Sequence, residues 1–154
     1  MRTLALIFTL IVAHGGLAAT QDTGPVKPVN TDEAGVALHG YDAVAYLSDR
    51  EPVKGSPAFE HTWKGATWRF ATAANRDRFA ADPSAFEPQF GGYCAWAVSR
   101  NYTADTDPEA FDVVDGKLYL NYSKLVQLRW KVDRARNIAK GAQNWPKLRA
   151  KGAK

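Results

Sequence analysis

Ala110-Phe111-Asp112-Val113-Val114-Asp115-Gly116-Lys117-Leu118-Tyr119-Leu120 decides the fold class. Two runs of strand-forming residues flank Asp-Gly, a pair that tolerates the left-handed backbone needed at both corners of a type I′ turn. The stretch predicts a β-hairpin with arms at 110–114 and 117–120. Upstream, 58–63 and 66–71 flank Lys64-Gly65 and predict a second hairpin. Thr72 is placed to cap a helix over 73–81 that turns Phe79 inward. Asp82-Pro83 then opens a short helix ending at Phe86. Downstream, Ser123 caps the last helix. There Leu125, Leu128, Val132, Ala135, Ile138, Ala142 and Trp145 step by three and four, which predicts one apolar stripe against the sheet. Gly141 bends or weakens that helix, and Pro146 lies near its end. The sum is a small single α+β domain with two β-hairpins, short helices and a long C-terminal helix.

The chain has 154 residues, enough for one domain and a modest core. Residues 1–19 read as a cleaved signal peptide. Arg2 is followed by an apolar run over 4–13 in which only Thr9 is polar, then by small residues at 17–19. The run is too short to span a bilayer, so the expected location is periplasmic or secreted. Residues 20–32 read as a linker or surface arm, 33–148 as the folded domain and 149–154 as a frayed basic tail. Within the domain, 36–38 predicts an edge strand. Residues 41–47 fit either a helix begun by Asp42 or a strand.

Charge is divided along the chain. Residues 124–154 hold ten Lys/Arg and one acid, Asp133, a net +9; residues 20–123 hold nine Lys/Arg and fifteen Asp/Glu, a net −6. An exported chain seldom meets nucleic acid, so none is expected as a partner. The basic C-terminal helix instead suits an anionic cell surface, the acidic part of its own domain, or plain solvation.

Gly91-Gly92-Tyr93-Cys94-Ala95-Trp96 contains the single cysteine. One cysteine cannot form an internal disulfide. If Gly91-Gly92 lead into a helix, Cys94 lies in its first turn, where free N–H groups and the helix dipole favour a thiolate. A thiolate is a nucleophile and a soft-metal ligand. With His39 or Asp42 it would suit copper or another soft ion; alone, it would suit thiol redox or electrophile chemistry. A buried thiol acting as a small apolar group is the third reading. Tyr41, Tyr46, Tyr93 and Trp96 could line a pocket around the sulfur, although aromatic residues more often fill cores. Asp42 could orient His39 or cap a helix, and His61 reads as an exposed strand residue. No catalytic constellation and no phosphate-binding glycine loop is visible.

The stretch from Trp68 to Phe86 resembles the YHS domain through Phe70, Thr72, Phe79 and Pro83. The two cysteines of the usual motif, suspected metal ligands there, fall on Ala71 and Asn75. The chain is more similar to an exported branch of that family, through residues 40–46, 91–95, 115–122 and 144–146. This likeness spans about 33–148. The resemblance implies a small α+β domain and an association with metal ions, and it draws attention to Cys94 without implying a reaction.

Overall fold

The computed structural model describes residues 25–151. The signal peptide expected at 1–19 lies outside the described residues, as do 20–24 of the arm and 152–154 of the tail.

Both hairpins form where the turn residues place them. Strands β1 (Ser56–Trp63) and β2 (Ala66–Phe70) pair antiparallel across Lys64 and Gly65; β3 (Asp107–Val114) and β4 (Lys117–Asn121) pair across Asp115 and Gly116. All four turn residues have positive φ, as a type I′ turn demands. Each ribbon carries a register irregularity, between Ser56 and Glu60 and between Asp107 and Phe111. The ribbons remain two separate two-stranded sheets. The edge strand expected at 36–38 is reduced to isolated bridges, Thr31 with Ala37 and Val36 with Thr67.

Helix α1 (Ala43–Ser48) settles the ambiguity at 41–47, because Asp42 caps it by accepting from the Val44 and Ala45 N–H groups. Helix α2 (Ala73–Ala81) is capped by the Thr72 hydroxyl, which accepts from Asn75 N at 3.1 Å. Helix α3 (Pro83–Phe86) opens on its proline, whose absent N–H would have had no partner there. Helix α4 (Ala95–Ser99) follows the Gly91-Gly92 turn.

The C-terminal region corrects the expectation of one helix. It divides at Asp133 into α5 (Lys124–Val132) and α6 (Arg134–Ala150). Asp133 has an extended φ of −136° and caps neither neighbour with its side chain. The apolar stripe divides with it. Ile138 and Trp145 pack against a core cluster. Leu125, Leu128 and Val132 do not, being 59%, 61% and 88% exposed. The inward face of α5 is Gln127 and Trp130 instead. Gln127 is held by its amide, which donates to the Phe111 carbonyl and the Asp112 carboxylate. The tail expected to fray from 149 is still helical at Ala150. Gly141 does not break α6. It admits the ring of Phe90, which would stand 2.5 Å from a Cβ at that position.

Two core clusters result. The first gathers Val44, Tyr46, Trp68, Phe70, Phe79, Leu118 and Leu120 between the ribbons and α1–α2. The second gathers Phe90, Ala95, Val98, Tyr119, Trp130 and Leu148 where α4, α5 and α6 meet β4. Residues 25–31 pack on both: Val29 is buried in the first cluster and Val26 lies against the second. Asn30 N donates to Gly91 O at 2.8 Å, and the Arg149 guanidinium donates to the Val26 carbonyl. No described helix is long and apolar enough to cross a membrane.

Candidate functional site

Cys94 occupies the N-cap of α4 rather than its first turn. The approach to it is a strained turn: Phe90, Gly91 and Gly92 all have positive φ. Gly91 is required twice over, because a Cβ there would also lie 2.3 Å from the Pro28 carbonyl oxygen. The turn delivers the cysteine backbone to Ala104, whose carbonyl accepts from Cys94 N at 3.0 Å.

The sulfur points inward and is 1% exposed. It accepts from the Tyr122 backbone N–H at 3.3 Å and lies 3.8 Å from Asn121 Oδ1, toward which the thiol donates. The same Oδ1 accepts from Trp96 N at 3.2 Å. Asn121 therefore ties the start of α4 to the end of β4, with the sulfur inside the knot. Its Nδ2 is buried with no hydrogen-bond partner among the described residues. Burial pushes the Cys94 pKa up; the N–H groups of Ala97, Tyr122 and Trp96 and the charge of Arg100 pull it down without reversing the shift. The helix N-terminus does act on the sulfur in the expected direction, but desolvation outweighs it. At neutral pH the group is a thiol.

Asp42 stands elsewhere and is saturated. Its Oδ1 accepts from Val44 N at 2.8 Å and Ala45 N at 3.2 Å; its Oδ2 accepts from Ala71 N at 2.9 Å and Asn75 Nδ2 at 2.8 Å. These bonds draw α1, the end of β2 and α2 onto one fully buried carboxylate. Ala71 and Asn75 are the positions where the resembled motif carries its cysteine pair, and both direct donors at Asp42.

His39, with φ 51°, is half-buried. Its Nε2 lies 2.9 Å from Asp105 Oδ1. A carboxylate only accepts, so that nitrogen carries the proton. Asn30 Nδ2 at 2.8 Å and Thr106 N at 2.8 Å donate to the same oxygen. Partial burial raises the Asp105 pKa, but these bonds and the nearby imidazole more than offset it and hold the group below its ordinary value. Asp105 is thus the partner of His39, and sequence gave no sign of it. The polar loop at 100–108 offers two acids, Asp105 and Asp107, and no local pattern singles out either.

The four aromatics divide between the two clusters. Tyr41 and Tyr46 belong to the first, where the Tyr46 hydroxyl donates to Pro108 O at 2.8 Å. Tyr93 and Trp96 belong to the second, beside the cysteine. His61 is half-buried, edge-on to Phe79, rather than exposed. Cys94, His39 and Asp42 each have separate partners. Among the described residues no group of three or more His, Cys, Asp or Glu side chains is arranged to hold a metal ion. No family model, no curated protein and no solved structure matches the chain.

Proposed function

We propose that this chain is an exported interaction domain of the YHS type in which Cys94 is a structural thiol. The observation that carries the reading is the sulfur itself, which is buried, bonded to Tyr122 N–H and shifted toward its neutral form. Nucleophilic and redox roles need a thiolate with access to its target. A soft cation such as copper needs further soft or imidazole donors around the sulfur. The nearest groups at Cys94 are an amide oxygen and backbone N–H groups, and neither type suits copper.

Iodoacetamide labelling tests the proposal. If α4 must undock to expose the sulfur, native labelling runs at least about 10³-fold slower than labelling of the urea-unfolded chain, following the open-state population of a domain stable by about 5–15 kcal/mol. A native rate within about tenfold of the unfolded rate overturns it. So does stoichiometric Cu(I) binding that Cys94→Ser abolishes.

A further inference from the structure

We infer that α5 is a docking surface for an anionic lipid bilayer, lying flat on the headgroups with Leu125, Leu128 and Val132 at the acyl boundary. The inference rests on the reading of this chain as an exported interaction domain.

Leu125, Leu128 and Val132 stand at i, i+3 and i+7 on one face of α5, and all three are exposed. Tyr122, 60% exposed, continues the ridge just before the Ser123 cap. An amphipathic aromatic suits the level of lipid headgroups. The opposite face is committed: Trp130 is fully buried and Gln127 is bonded to β3. The outward ridge is therefore not a misplaced core face, and the domain is complete without it.

The charges around the ridge identify its occupant. Lys124, Arg129 and Lys131 lie on α5, and exposed Arg134 and Arg136 follow the break at Asp133. Three acidic residues come near, and the Lys124 ammonium donates to the backbone carbonyl of one of them, Glu109. Asp112 is bound by Lys131 at 3.1 Å, and Asp133 is 3.9 Å from Arg136. The face is basic, which disfavours a second copy docking through the same face, where like charges would meet. A convex apolar ridge edged with cations is the form that binds in the plane of an anionic membrane surface.

Vesicle sedimentation of the full chain tests this, using phosphatidylcholine alone and phosphatidylcholine with about 30% phosphatidylglycerol. The readout is the difference between wild type and Leu125→Ser/Leu128→Ser, since everything outside α5 is common to both. The expected result is binding that favours the anionic vesicles, weakens from about 0.1 M to about 0.5 M salt, and falls about tenfold in the double variant. Lys124→Glu/Arg129→Glu is expected to lose binding to at least the same extent. Unfolding curves verify that both variants fold, and thiol labelling does not enter the readout, so failure here is distinct from failure of the Cys94 reading. Equal binding by wild type and the Ser variant overturns the inference, as does equal affinity for neutral and anionic vesicles. A dimer in solution that the Ser variant dissociates assigns the ridge to a second copy and overturns it as well.

Discussion

Replacing Asp42 by Asn separates a structural carboxylate from a ligand. The wild-type carboxylate faces four donors, two on each oxygen. In Asp42→Asn one oxygen can still cap α1, but an NH₂ group then faces Ala71 N–H and the Asn75 amide. Two partly buried donors lose their acceptor, and the about 1–3 kcal/mol that a fully buried one costs is reduced by solvent and by rotation of the Asn75 amide, so a loss of about 1–3 kcal/mol in total is expected. Asp42→Ala orphans all four donors and forfeits the helix cap, for about 4–6 kcal/mol, a large part of the 5–15 kcal/mol that holds a domain of this size together. Urea unfolding reads both values, with the m-value unchanged if the transition stays two-state. The double variant Asp42→Asn/Asn75→Asp lets the new amide donate to a new carboxylate and should recover about 1–2 kcal/mol, a coupling that independent sites would not show. A shift below about 0.5 kcal/mol in Asp42→Asn, or strict additivity with Asn75→Asp, would refute the reasoning.

Three further outcomes follow from the same geometry. Gly91→Ala must avoid both a positive φ and the Pro28 carbonyl; a loss of at least about 2 kcal/mol and faster proteolysis within 25–31 are expected. Asp105 has a depressed pKa, so its stabilising contribution is present above the unfolded value near 3.8 and is lost as pH falls through the lower folded value. Thermal unfolding should accordingly depend less on pH below about 4 in Asp105→Asn than in wild type. Leu128→Ser, on the open face of α5, should change stability by no more than about 0.5 kcal/mol in urea unfolding, whereas Trp130→Ala on the buried face should cost about 3–5 kcal/mol.

What sequence could say depended on whether the signal was local. Lys64-Gly65 and Asp115-Gly116 dictate their turns through backbone conformation alone, and the Thr72 and Ser123 caps act within three residues, so these elements were legible. The facing of α5 was not. Leu125, Leu128 and Val132 have the same spacing whether they point inward or outward, and the decision came from Trp130 and Gln127 finding β3 and β4. The break at Asp133 has no proline or glycine to announce it. At Cys94 the sequence fairly indicated a helix start. Desolvation outweighs the helix N-terminus because the sulfur is packed against Asn121 and Tyr122, more than twenty residues away. Asp42 was recognisable as a cap, but its bonds to Ala71 and Asn75 are tertiary and invisible in a linear pattern.

The contact between the Arg149 guanidinium and the Val26 carbonyl spans 123 positions. It brings the two ends of the described chain side by side and makes the fold a closed ring rather than an open thread. New ends could therefore be cut at an exposed hairpin tip such as Lys64-Gly65 and the old ones joined by a short polar linker, with the order of packing preserved. The same closure means that segments attached at residue 25 and at residue 151 leave the described fold at one place on the surface.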